Sequence, residues 1–194
     1  MLDGFRYISR HSVLVALLVL SAMLNLLFAP LAVLLPVFAR QVLHLDSVGY
    51  GLLETSFSAG LLGGSVLIGL LARIRRRGLV VIFSIITLGL FFALLPLTRN
   101  QPLAMLLLLL GGLVIGAANV IFMALLQMLI EDGFRARAIG ISSMVSGCLQ
   151  PIGMGLSGML ADAFGTTTVM LGCALTTSAV ALLSLLNRPL RTLD

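Results

Sequence analysis

The chain has 194 residues, of which 60% are hydrophobic and 10% charged, and a formal net charge of +5. A soluble domain carries charge on about a quarter of its residues, so this composition excludes a water-soluble fold and puts the chain in a bilayer. All twelve basic residues are arginine; the lack of lysine removes the Walker A loop, the Schiff base and the Ser-x-x-Lys nucleophile, and with them ATP hydrolysis and most enzymatic readings.

A helix crosses hydrocarbon with about 20 mainly apolar residues, because a rise of about 1.5 Å each must cover about 30 Å. Six segments meet this, near 12–39, 49–72, 78–98, 102–129, 138–161 and 167–187. The expected fold is an all-α membrane protein made of a single six-helix transmembrane bundle.

The first segment is far longer than the apolar region of a signal peptide and lacks a small-residue cleavage pattern after it, so it reads as a permanent span with the mature chain starting near Met1. It holds Asn25 near its middle, and Pro30 and Pro36, each of which removes a backbone donor and predicts a bend or an unwound turn. The second segment contains Glu54, the only acid well inside a span. A carboxylate at that depth costs up to roughly 3 kcal/mol, and it suits either proton coupling or an ion pair with Arg40 or Arg99. Gly60 and Gly64 in the same segment form a small-xxx-small contact.

Arg73, Arg75, Arg76 and Arg77 crowd the gap before the third segment. In the fourth, Pro102 sits in the first turn, where proline is tolerated. Gly112, Gly116, Asn119, Met123 and Gln127 follow at spacings of three and four and share one helix face. Arg135 and Arg137 precede the fifth segment, which repeats the device with Ser143, Gly147, Pro151, Gly155, Gly158 and Asp162. Gln150 lies near mid-span, and Pro151 predicts another bend. Amides at such depth need partners, so Asn25, Asn119 and Gln150 either line a wet cavity or hydrogen-bond between helices. The run from Gly153 to Gly158 matches the dinucleotide fingerprint only in letters, with no preceding strand, and is a packing surface. Cys148 and Cys173 fall inside spans, and His11 and His44 outside them, so neither a zinc site nor a serine–histidine pair forms. No cofactor and no metal is expected.

Arginines alternate strongly by gap. Arg6, Arg10, the four of the second gap, Arg135, Arg137, Arg188 and Arg191 all lie on one side, against Arg40 and Arg99 on the other. The positive-inside rule then places both termini in the cytoplasm of a multi-pass protein of the inner (plasma) membrane. The net positive charge reads as attraction to anionic membrane lipid, at about 1 kcal/mol per arginine near the surface, rather than to nucleic acid.

Gly69-Leu-Leu-Ala-Arg73 after the second segment is echoed by Gly158-Met-Leu-Ala-Asp162 after the fifth. Three spans separate the copies, which puts them on opposite faces, as an inverted three-plus-three repeat requires. Residues 69–78, with Gly69, the basic run and Gly78, look like the Gly-x-x-x-Asp-Arg-x-Gly-Arg-Arg loop of the major facilitator superfamily, with Arg73 where the motif has its acid. Residues 130–140 resemble its Glu-x-x-Arg-Gly-Arg-x-x-Gly loop, and 149–153 with 158–165 resemble the penultimate helix of its efflux branch, which includes macrolide and enterobactin exporters.

The resemblance covers nearly the whole chain as one C-terminal six-helix half. It implies a secondary transporter that rocks two halves around a midplane site. By that analogy Asn25 and Asn119 face a substrate cavity bordered also by Glu54 and Gln150, and the partners are a small amphipathic substrate, membrane lipid and another six-helix half, either an N-terminal half or a second copy. Two alternatives stand beside a proton-coupled exporter. One is a six-helix substrate-binding subunit energised by a separate ATPase, and the other a structural membrane protein with no transport activity.

Overall fold

The computed structural model describes residues 12–70, 77–130 and 132–184. These form six helices: α1 (Ser12–Gln41), α2 (Ser47–Leu70), α3 (Arg77–Leu94), α4 (Gln101–Leu129), α5 (Asp132–Phe164) and α6 (Thr166–Ser184), with a one-turn 3-10 segment, Leu95–Leu97, after α3. In hydrocarbon the backbone must bond within itself, and long apolar runs meet that requirement as helix. Among the described residues, Ser21–Gln41, Ser47–Leu70 and Gln101–Leu129 are by themselves long and apolar enough to cross a membrane, and Phe83–Leu97 and Thr166–Val180 are shorter apolar stretches. The longest helix, α5, has 33 residues but is the least apolar of the six, because small and polar side chains dilute it.

Local chemistry sets the connections. At the end of α1 the Leu45 amide reaches back to the Ala39 carbonyl at 2.9 Å while His44 takes a left-handed φ of 52°, so the chain turns sharply out of α1. Asp46 then caps α2, its Oδ1 accepting the Gly49 amide at 2.8 Å. Gly165, at φ 84°, ends α5 and passes directly into α6. The expected loop at 130–140 is instead mostly helix, for α5 starts at Asp132 and carries residues 135 and 137 in its first turns.

All three intrahelical prolines lie within continuous helix, so no turn is unwound at Pro30, Pro36 or Pro151. The consequence appears in packing. Pro30 cannot donate to the Leu26 carbonyl, and Gly153 of α5 brings its backbone against that oxygen; a Cβ there would stand 2.7 Å from it.

Packing pairs α2 with α4, α1 with α5, and α3 with α6, while α3 also leans on α4 and α6 on α1. The α2–α4 crossing is the closest in the bundle. Cβ atoms on Gly60 and Gly64 would fall on the carbonyls of Leu109 and Leu113, and Cβ atoms on Gly112 and Gly116 on those of Phe57 and Leu61. Ser65 adds a hydroxyl that donates to Leu61 at 2.8 Å and reaches the Gly116 carbonyl at 3.4 Å. Without a hydrophobic drive between helices in lipid, such backbone approach supplies the van der Waals contact that holds them.

Among the described residues the core is uneven along the bundle axis. Leu34, Phe38, Leu53, Phe92, Leu95, Leu108 and Met170 belong to a large buried cluster at the end where α1 meets α2. At the opposite end Val81, Ile85, Ile121 and Leu125 make a smaller one between α3 and α4.

Candidate functional site

α1 and α4 do not pack closely on each other; α3 and α6 lie between their contacts and hold them apart. The gap is a cleft of about 220 Å³ walled by α1, α3 and α4. Ser21, Asn25 and Phe28 come from α1, Ser84 and Leu88 from α3, and Val114, Ala118, Asn119 and Phe122 from α4. Asn25 and Asn119 thus share one cavity, although they lie 94 positions apart in sequence, on the first and fourth helices.

The cleft has aromatic and aliphatic walls, two carboxamides, two hydroxyls and no charged side chain. Asn25 is half-buried and its Nδ2 donates to the Ser21 carbonyl at 2.9 Å. Asn119 is exposed. Phe28 closes one side, edge-on to Phe92 with ring centroids 5.6 Å apart. Such a surface can hold an apolar molecule and orient it through a few hydrogen bonds.

The face shared by Gly112, Gly116, Asn119, Met123 and Gln127 divides between two environments. Its glycines are buried against α2, whereas Asn119, Met123 and Gln127 are exposed.

Glu54 and Gln150 do not reach the cleft. Glu54 is exposed on α2 and accepts a hydrogen bond from the Tyr50 hydroxyl, one turn earlier, at 2.7 Å. Gln150 is exposed on α5, beside exposed Pro151. Gly69 is exposed near the end of α2. Arg73, Arg75 and Arg76 lie outside the described residues; Arg77, Gly78, Arg135 and Arg137 are placed on α3 and α5 by their backbone, and their side chains lie outside the description.

Ser21, Phe28, Ser84 and Phe122 were not singled out by sequence. Ser21 stands one turn from Asn25, a spacing that could have found it. Ser84 is a polar position in a largely apolar helix, but nothing local ties it to α1 or α4.

Gly147, Gly155 and Gly158 of the small-residue pattern, and also Gly140 and Gly172, would meet nothing with an added Cβ. Four of these are on α5. Their stripe is therefore not filled by any described element of this chain. Both cysteines are free thiols.

Long apolar helices joined by backbone-to-backbone glycine contacts define a multi-pass helical membrane protein. The family model of the Major Facilitator Superfamily matches residues 4–193, and the chain belongs to that superfamily. It is similar to macrolide efflux protein A of Streptococcus pyogenes, with 23% identity over 100% of this chain and 48% of that protein. It is also similar to the multidrug efflux pump Tap of Mycobacterium tuberculosis, with 26% identity over 99% of this chain and 46% of the pump. The MFS-type transporter YvqJ of Bacillus subtilis shares 26% over 86% of this chain and 39% of its own length. The chain spans about half the length of the relatives it matches most fully. No solved structure matches it.

Proposed function

We propose that this chain is one half of a secondary active exporter of small amphipathic molecules, and that the α1–α3–α4 cleft is its share of the substrate path. The carrying observation is the meeting of Asn25 and Asn119 in one uncharged cavity, in a chain whose relatives are named efflux proteins. Family membership favours this over a subunit energised by a separate ATPase.

The proposed architecture is six spans in an inverted three-plus-three repeat. Exchanging α1 with α4, α2 with α5 and α3 with α6 turns the α2–α4 pair into α5–α1 and the α3–α4 pair into α6–α1, and the packing follows that exchange. The offset that carries Gly69 onto Gly158 also carries Gly64 onto Gly153, and both glycines sit against a carbonyl of the partner helix. Arginine distribution supports cytoplasmic termini in the inner membrane. Proton coupling, with Glu54 as its carboxylate, completes the proposal, as does a second six-helix half that covers the open stripe of α5.

The test uses this chain with the half it pairs with, in cells stripped of other pumps and loaded with a fluorescent amphipathic dye. Asn25→Ala and Asn119→Ala should each slow efflux by several-fold, the effect of one lost hydrogen bond of about 1 kcal/mol. Efflux unchanged in the double variant would remove the cleft from the substrate path.

A further inference from the structure

Two spaces in the bundle meet at Phe28. One is the cleft of about 220 Å³ between α1, α3 and α4, and the other a void of about 10 Å³ between α1, α3 and α6. Among the described residues, Phe28 alone borders both.

The void is a packing defect in the larger core, for Leu34, Phe92, Met170 and Ala174 in its wall are buried members of that cluster. Gly89 lends it no side chain, and a Cβ there would fall on the Ser178 Oγ of α6. A space of this size is at the lower limit for one water. Its wall is apolar apart from Thr177, whose hydroxyl already donates to the Cys173 carbonyl at 2.7 Å. Nothing polar draws water in, so the void is dry and Phe28 separates it from the cleft.

The ring is lightly held for such a position. Phe28 is half-buried, and its aromatic neighbour is Phe92, met edge-on at 5.6 Å. It rides on the turn of α1 that lacks a hydrogen bond, since Pro30 has no N–H to give the Leu26 carbonyl.

We propose that Phe28 is the partition that sets the depth of the cleft, and with it the length of apolar arm a substrate can carry. The substrate limit rests on the reading of the cleft as part of an export path. At about 220 Å³ the cleft is smaller than the roughly 300–1,000 Å³ of pockets that take drug-sized ligands, so its end wall decides what fits. With the ring in place an apolar arm stops against it. With the ring removed, the cleft runs on past Phe92 and Met170 to Cys173, all of which line the void.

The experiment uses the paired transporter carrying Cys148→Ser, which leaves Cys173 as the thiol of this chain. Its reaction with a charged methanethiosulfonate is followed by the mass of this chain; the charge keeps the reagent out of lipid, so water in the cleft is its route. Phe28→Ala and the milder Phe28→Leu should each speed labelling several-fold, and Phe28→Trp should not. Val114→Ala, which widens a wall of the cleft that does not border the void, should leave the rate unchanged. Efflux is measured in parallel for two dyes that share a headgroup and differ in the length of an alkyl arm. The parent should export the short dye several-fold faster than the long one, and Phe28→Ala should erase that preference. Unchanged labelling in both Phe28→Ala and Phe28→Leu would overturn the partition, and faster labelling with the dye preference intact would overturn the substrate limit. Short-dye efflux that is the same with and without the chain would instead sink the export reading, and the substrate limit with it, whatever the labelling shows.

Discussion

The Leu26 carbonyl loses its helical donor to Pro30, and the atom that approaches it belongs to Gly153 on another helix. A side chain at 153 has no room, for a Cβ would also stand 2.9 Å from the Ala29 Cβ. Gly153→Val should destabilise the chain by about 1–3 kcal/mol through overpacking, seen as a lower midpoint of thermal unfolding in detergent. Glu54 presents a different residue-scale question, since its carboxylate is exposed and meets only the Tyr50 hydroxyl among the described residues. If it couples protons, Glu54→Gln in the paired transporter should flatten the dependence of efflux on external pH. An unaltered pH profile would leave the carboxylate a local partner of Tyr50.

Helix by helix, glycines of similar spacing have opposite surroundings. Gly64 and Gly116 sit against partner carbonyls, while Gly147 and Gly155 face open space. Gly64→Val or Gly116→Val should therefore force α2 and α4 apart and lower the yield of folded chain severely. Gly155→Val should leave the isolated chain's thermal stability within about 0.5 kcal/mol, but should impair assembly with a second half. The helices themselves were legible in sequence because apolar length is a local property, and so were the stripes, because helical spacing is one too. What covers a stripe was not legible. The same run of letters places Gly112 and Gly116 on α2 and leaves Asn119 at a cleft, a division made by the divergence of two helices. Residues 130–140 misled in the other direction: their charges and glycines suggested a loop, yet the helix begins at Asp132 and carries them in its first turns.

For the molecule as a whole, α5 is the element least covered among the described residues: Gln150, Pro151, Leu156, Met159 and Phe164 are all exposed, with the open glycines between them. The exposed amide of Gln150 and the open glycines suit another helix better than lipid tails. Native mass measurement in mild detergent should find the chain paired with another six-helix unit, and a stable monomer that moves substrate by itself would refute the two-half reading. Labelling of engineered cysteines in the 73–77 gap should occur only from the cytoplasmic side.

The imbalance of the core carries a mechanical consequence. Among the described residues, Phe38, Phe92, Leu95 and Leu108 pack together at one end and a smaller cluster forms at the other, like a clothes peg with its spring off-centre. Local opening follows sparse packing, so deuterium should enter amides around the Val81–Ile121 end well before those near Phe38. In the proposed exporter, a lobe fashioned this way would part its sparser end to pass a molecule while its other end serves as the fulcrum.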